Sequence, residues 1–237
     1  MLAEDIGISV ADLSRRLEVS EVTIRTDLKS LEDRGYVQRT GGGVLPTLHQ
    51  NVFERLKTRT EAKSRIAREG AALVEDGDTI MIEAGTTTAL VAKYLLGKRD
   101  IHVVTTSTLL IPYARINPGL HLTVTGGEFR PLTESFVGPI ALSELEQFHV
   151  RLAFVGTDGF TPEQGLTTHL IEGAEIVRKM ARQAETTVLV ADSSKYGKTG
   201  FVKVLPITGV DTIITDTGLD GDGKSGIEKT GVTVRLV

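Results

Sequence analysis

The amino-acid sequence predicts an α/β protein in two parts: a short helix-turn-helix with a β-hairpin wing, then a larger Rossmann-like domain on a parallel sheet. Three observations carry this expectation. Two short amphipathic helical patterns, joined by a tight break, lie between Ser9 and Asp33. A glycine-rich turn between apolar residues follows in "YVQRTGGGVLP", Tyr36 to Pro46. From Asp76 onward, β-branched apolar runs alternate with helical patterns, as buried parallel strands and their crossovers require.

Ser9 and Asp12 form a capping-box pattern, after which Val10, Leu13 and Leu17 recur at helical spacing. After a break at Glu18 and Val19, Ser20 suits the cap of a second helix whose inner face is Ile24, Leu28 and Leu31, ending at Arg34 and Gly35. At 100° per residue the opposite side carries Val22, Thr26 and Lys29, flanked by Thr23, Arg25 and Ser30. Hydroxyls and cations there suit phosphates and base edges of a major groove, and Val22 suits a thymine methyl. The hairpin wing adds Arg39. Residues 13 to 40 hold six basic and five acidic side chains, so charge alone does not separate DNA contact from protein contact.

From Asn51 to Glu75 the pattern reads as one connecting helix, its basic run "RLKTRTEAKSR" forming a solvated face or, beside the reader, a contact to DNA phosphates. The division expected is a DNA-reading part over 1–48, a connecting helix over 49–75 and an α/β domain over 76–237. In that domain "TIMIE", "IHVVTT", "HLTVTG", "RLAFVG", "TTVLVAD" and "DTIITD" are the strand candidates. Ligands of such sheets sit outside the carboxyl ends of the strands. Small or polar groups end five of these segments, at 83–88, 105–107, 125–130, 156–159 and 191–195. Amides and hydroxyls from Gly85 through Thr86 and Thr87 to Thr88 suit a phosphate, Arg130 or Lys195 its charge, and Asp158 or Glu83 the hydroxyls of a polyol. Thr86 equally suits a helix cap, and Arg130 and Lys195 equally suit surface ion pairs.

Composition narrows the classes. Basic residues number 27 and acidic 31, a net charge of −4, so any nucleic-acid contact must be local. With no cysteine there is no disulfide, thiolate zinc site or cysteine nucleophile. Histidines 49, 102, 121, 149 and 169 show no ligand spacing, so neither a metal nor a cofactor is expected. Apolar runs fall short of the roughly 18 residues that span a bilayer, and Glu4 and Asp5 stand where a secretion signal would be basic. A cytoplasmic protein without membrane contact is the expectation.

Through "VADLSRRLEVSEVTIRTDLKSLEDRG" and the glycine-rich wing, the chain resembles the DeoR family of bacterial transcriptional regulators. In the larger domain "EDGDTIMIEAGTTTALVAKYL", "TGGEFRP", "FVGPIA", "FVGTDG", "GLTT" and "ADSSKYGK" extend the resemblance over nearly the whole chain. It implies that Ser20 to Lys29 enter DNA, and that the α/β domain shares the sugar-phosphate isomerase/CoA-transferase type of fold and senses a phosphorylated sugar or sugar alcohol. Carried onto matching positions, it implicates Gly85, Thr86, Thr87, Thr88, Ser107, Gly126, Gly127, Arg130, Asp158 and Lys195. The sequence departs from the family pattern at Thr26, Thr106 and Val177, where members usually carry arginine, asparagine and lysine. Before "ISVADL" the family has a further helix of about three turns, and this chain has "MLAEDIG". The resemblance then implies a winged helix largely lacking its first helix, Leu13, Leu17, Ile24 and Leu28 underprotected, and weak operator binding.

An isomerase needs a carboxylate base beside the substrate carbon. The related isomerase signature "DGADE" is absent: the corresponding stretch reads "TDGFTPEQG", with Asp158 and Glu163 further apart. The expectation is therefore a non-enzymatic, DNA-binding regulator, a repressor of a carbohydrate-utilisation operon. Its partners would be operator DNA, the sugar-phosphate effector and further copies of itself as a dimer or tetramer. The alternative is a sugar-phosphate isomerase-like enzyme or ligand-binding protein with a vestigial DNA reader.

Overall fold

The computed structural model describes residues 8–33, 36–39 and 43–237. The chain divides into two compact units, residues 1–55 and 56–237.

In the smaller unit, Ser9 caps α1 (Val10–Leu17): its Oγ accepts from the Asp12 amide at 3.1 Å and donates to the Asp12 carboxylate at 2.6 Å. Glu18 ends the helix in the left-handed region, φ 55°. Ser20 then caps α2 (Glu21–Asp33), accepting from the Thr23 amide at 3.1 Å. β1 (Val37–Arg39) and β2 (Val44–Pro46) pair antiparallel, Gln38 opposite Leu45. Ile8, Leu13, Ile24, Leu28, Val37 and Val44 form one buried cluster, with Val10 and Leu31 packed against it. The expected underprotection therefore does not hold for Leu13, Ile24 or Leu28, each 4% exposed, whereas Leu17 is 49% exposed. Leu17 is the last residue of its helix. The expectations for residues 1–7, for the helix end at Arg34 and Gly35, and for the tip of the wing at 40–42 lie outside the described residues.

The expected single connecting helix is two. α3 (Gln50–Lys57) and α4 (Thr60–Ala72) are separated at Arg59, which is left-handed at φ 52°. Periodicity ran on across this break because α4 has a buried face of its own, Ile66, Ala67, Gly70 and Ala71, packed on the sheet of the larger unit. Gly70 faces Phe154, Val190 and Val91, which a Cβ there would meet at ordinary contact distances of 3.4, 3.5 and 3.5 Å.

The sheet begins with β3 (Thr79–Ile82), followed by α5 (Thr86–Lys93). β4 (Ile101–Thr105), α6 (Ile111–Ile116) and β5 (Leu120–Val124) complete one side. A hairpin of β6 (Glu128–Arg130) and β7 (Ser135–Val137) leads into α7 (Gly138–Leu145) and β8 (Val150–Val155). β9 (Gly159–Thr161) and β10 (Gly165–Thr168) precede α8 (Ile171–Arg182) and β11 (Ala184–Val190). The chain ends with β12 (Val202–Leu205), β13 (Thr212–Thr215), α9 (Gly221–Glu228) and β14 (Thr233–Leu236).

Seven strands pair in the order β14-β13-β11-β8-β3-β4-β5, all parallel. Chain order runs outward from β3 to β5 on one side and from β8 to β14 on the other, so direction reverses between β3 and β8. This is the switch point at which doubly wound sheets open a crevice. Alternate residues serve opposite faces. Ile80, Ile82, Val103, Phe154 and Val190 meet α4 and α5, while Met81, Val104 and Ala153 join the side chains of α7 and α8. The six expected strands are present. The sequence reading missed β14, an edge strand with only Val234 buried, and a separate antiparallel sheet β12-β10-β9.

Candidate functional site

In the smaller unit α2 turns Ile24 and Leu28 inward, which puts Ser20, Val22, Thr23, Arg25, Thr26 and Lys29 in solvent. Val22 is 74% exposed and so free to meet a partner. Arg25 leans on Glu21 at 3.1 Å, and Thr26 Oγ1 donates to the Val22 carbonyl at 3.0 Å. The Ser20 hydroxyl is engaged at the cap, within 2.9 Å of Thr23 Oγ1. Arg39, on β1, lies 4.0 Å from Glu32 through Nε and donates its amide to the same carboxylate at 3.3 Å. Apart from Arg39, the expected DNA-reading residues thus share one helix and its cap.

In the larger unit every strand of the main sheet delivers its carboxyl end to the same edge. At the switch point, β3 continues into Glu83, Ala84 and Gly85, and Gly85 is the N-cap of α5. The alternative reading of Thr86 as the cap is thereby corrected: Thr86 is the first residue of the helix. No side chain caps α5, so its first amides and the positive end of its dipole point out of the strand end. A Cβ at Gly85 would sit 2.9 Å from Thr88 Oγ1, a hydroxyl held by the Gly85 carbonyl at 2.9 Å. Thr86 and Thr88 are buried and Thr87 is half-buried. Across the switch point the Gly156 amide donates to Glu83 Oε2 at 3.0 Å, tying the end of β8 to the end of β3.

The residue that sequence reasoning missed is Lys63. It lies in the run expected to be a solvated face, yet it is 6% exposed and donates from Nζ to Thr86 Oγ1 at 3.2 Å. Its Nζ thus stands at the start of α5, beside the positive end of the helix dipole. Other cations of the run go elsewhere: Arg59 approaches the buried Asp192 at 3.4 Å and Arg65 pairs with Glu61 at 3.0 Å. Just beyond the run, Arg68 covers the Tyr94 ring at 5.2 Å. The signal available in the sequence was the spacing of Lys63 from Ile66, Ala67 and Gly70, which puts it on the inward side of α4.

The remaining expected residues line the same edge but differ in what they engage. Ser107, fully buried after β4, accepts from the Leu109 amide at 3.2 Å and donates to the Glu134 carbonyl at 3.4 Å. The neighbouring Thr106 hydroxyl is buried and has no partner among the described residues. Gly126 donates its amide to Glu144 at 2.7 Å. Gly127 is held at φ +129°, where a Cβ would come within 2.7 Å of the Val137 carbonyl. Arg130 pairs with Glu172 at 2.7 Å and Glu128 at 3.1 Å, so it engages the start of α8 rather than the α5 cradle. The Glu172 backbone amide and then the Arg130 guanidinium hold the Glu172 carboxyl below the usual range, against desolvation. Asp158 accepts from Thr168 Oγ1 at 2.8 Å and from the His169 amide at 3.1 Å. Lys195 closes the turn after β11, in a loop anchored by Asp216, which accepts from the Ser193 amide at 2.7 Å and the Ser193 hydroxyl at 2.9 Å. Val177 is part of the packed core, not of the site.

A helix-turn-helix unit with an exposed second helix, joined to a doubly wound unit with an uncapped helix start at its switch point, is the arrangement of a DNA-binding regulator with a sensor domain. Residues 1–47 match the DeoR-like helix-turn-helix domain and residues 58–217 the DeoR C terminal sensor domain; the chain belongs to the DeoR family of transcriptional regulators. It is 32% identical to a putative aga operon transcriptional repressor of Escherichia coli O157:H7 over 100% of this chain and 90% of that protein. It is 36% identical to the HTH-type transcriptional regulator GlpR of Haloferax volcanii over 99% and 93%, and 34% identical to the HTH-type transcriptional repressor GlcR of Bacillus subtilis over 88% and 82%. These relatives are regulators rather than enzymes, and the isomerase alternative is not retained. Ribose 5-phosphate isomerase A of Methanocaldococcus jannaschii aligns over 59% of this chain and 55% of its own at 20% identity and a TM-score of 0.43. No described helix is long and apolar enough to cross a membrane.

Proposed function

We propose that this regulator is a cytoplasmic repressor of a carbohydrate-utilisation operon, whose larger unit binds a phosphorylated sugar or sugar alcohol and whose α2 reads operator DNA. The observation that carries the reading is the uncapped start of α5 at the switch point with Lys63 buried against Thr86. An anion there meets helix amides, the dipole and an ammonium together. Around it, Gly85, Thr86, Thr87 and Thr88 would hold the phosphate, with Ser107, Gly126, Gly127, Asp158 and Lys195 along the same strand ends facing the polyol. Arg130 enters only by exchanging Glu172 for the ligand.

Two relatives, the putative aga operon transcriptional repressor and the transcriptional repressor GlcR, support repression as the direction of control. Ser20, Val22, Thr23, Arg25, Thr26 and Lys29 would lie at the groove with Arg39 beside it. A two-fold or higher homo-oligomer would match a symmetric operator. For the effector to act, its affinity must differ between DNA-competent and DNA-incompetent states.

The test is a thermal-shift screen of sugar phosphates and their unphosphorylated sugars on the full chain, followed by gel-shift of operator DNA with and without the best compound. A phosphorylated compound should raise the midpoint and alter DNA retention. Equal shifts with and without the phosphate would sink the anion cradle; no effect on retention would sink the sensor role.

A further inference from the structure

At the opposite ends of β4 and β5 from the cradle, three side chains converge that the mechanism does not use. His102 and His121 are direct partners in the parallel β4–β5 ladder. Their rings stack, centroids 4.7 Å apart and planes 19° from parallel. Both Nε2 atoms approach the same carboxylate oxygen, Asp100 Oδ1, at 3.4 and 3.3 Å. The three ligand atoms lie within 4.8 Å of one another. We propose that Asp100, His102 and His121 form a binding site for a divalent first-row transition-metal ion, Zn2+ or one of similar ligand preference.

The distances carry the proposal. A tetrahedral ion with bonds of about 2.1 Å to nitrogen and oxygen spaces its ligand atoms about 3.4 Å apart. That is the separation of each imidazole nitrogen from the carboxylate oxygen. Two imidazoles and one carboxylate are a borderline donor set, which selects Zn2+, Ni2+ or Cu2+ over Mg2+ and Ca2+.

The framework is also built in advance. Asp100 is held left-handed at φ 58°, a conformation uncommon for a residue with a Cβ. The chain on either side of it is fixed: before it Arg99 donates its amide to Asp76 Oδ1 at 2.9 Å, and after it Ile101 donates to the Gly119 carbonyl at 2.8 Å and His102 to the Asp78 carbonyl at 2.9 Å. Gly119 lies so close to the Lys98 carbonyl that any Cβ would overlap it. Ligands from two paired strands and a locked turn need little reorganisation. The side chains are 55%, 56% and 71% exposed, so an ion can enter directly and water completes its shell. Bound there, the ion would clip edge strand β5 to β4.

The experiment uses the full chain stripped with a chelator and titrated with ZnCl2 by calorimetry near pH 7.5, with Co2+ absorption as a second readout of imidazole ligation. One equivalent should bind, and the thermal midpoint should rise with the logarithm of Zn2+ concentration. His121→Ala and His102→Ala, both at exposed positions, should each weaken binding at least about tenfold. Asp100→Asn, which tolerates the left-handed backbone, should weaken it while leaving the zinc-free midpoint unchanged. No saturable binding up to about 1 mM, or binding that His121→Ala and His102→Ala leave intact, would overturn the proposal.

Discussion

Lys63→Met isolates the cation in the proposed cradle, because the methionine stem keeps most of the lysine's apolar length and removes only the ammonium. In the protein Lys63 is 6% exposed, and its Nζ is 3.2 Å from Thr86 Oγ1. A hydrogen bond to a charged group contributes about 1.5–3 kcal/mol. Lost from a bound phosphate, that energy weakens the effector by a factor of about 10–150. Calorimetric titration of wild type and variant with the sugar phosphate that gives the largest thermal shift measures the factor directly. The unphosphorylated sugar serves as control and should show no difference between the two proteins. Affinity retained within a factor of about two would refute the assignment of Lys63 to the anion.

A second arm of the same experiment needs no ligand. If the Lys63–Thr86 bond links α4 to α5, Lys63→Met and Thr86→Val should be non-additive in urea unfolding, with a coupling of about 0.5–3 kcal/mol. Additivity within experimental error would show that the bond has no energetic role, even if the affinity result stood. The two arms separate a cation that binds ligand from one that only joins two helices.

Phe154→Ala should lower unfolding stability by about 3–5 kcal/mol in urea titration, since Phe154 is fully buried with Gly70 directly above it. Arg25→Ala and Lys29→Ala should each flatten the salt dependence of operator binding, by a slope of about 1 in a log–log plot of affinity against salt by fluorescence anisotropy. Asp216 sets an acid limit. Burial pushes its carboxyl up, but the amide and hydroxyl of Ser193 and the Gly218 amide outweigh this and hold it below the ordinary 3.8. Because the folded value lies below the unfolded one, its contribution is present above the unfolded value and is lost as pH falls through the folded one. Asp216→Asn should therefore flatten the acid limb of the thermal midpoint against pH; an unchanged limb would refute the account.

Local rules carried far in this sequence. Ser9 with Asp12, and Ser20 with Thr23, are contacts three residues apart, and both caps are legible because the partners are neighbours in the chain. Strand candidates in the main sheet were equally visible, since burial on both faces writes an uninterrupted apolar run such as Ile80 to Ile82. β14 escaped because an edge strand buries one residue in four, Val234, and so carries no such run. The break at Arg59 escaped for a different reason. A single left-handed residue changes the direction of the chain without interrupting the period of apolar residues on either side.

What the sequence withheld is everything that depends on register. Spacing from Ile66, Ala67 and Gly70 sets Lys63 on the inward face of α4, but only the docking of α4 beside α5 brings its ammonium to Thr86. Glu83 and Gly156 are separated by 73 positions and become neighbours because β8 inserts beside β3. His102 and His121 show no ligand spacing along the chain, but a crossover through α6 returns β5 beside β4 in a register that puts one histidine opposite the other. A parallel sheet converts long sequence separations into lateral neighbours at about 4.8 Å per strand. The chemistry at both ends of β4 is therefore set by strand pairing, and a shift of one residue in that pairing would dissolve the His102–His121 stack.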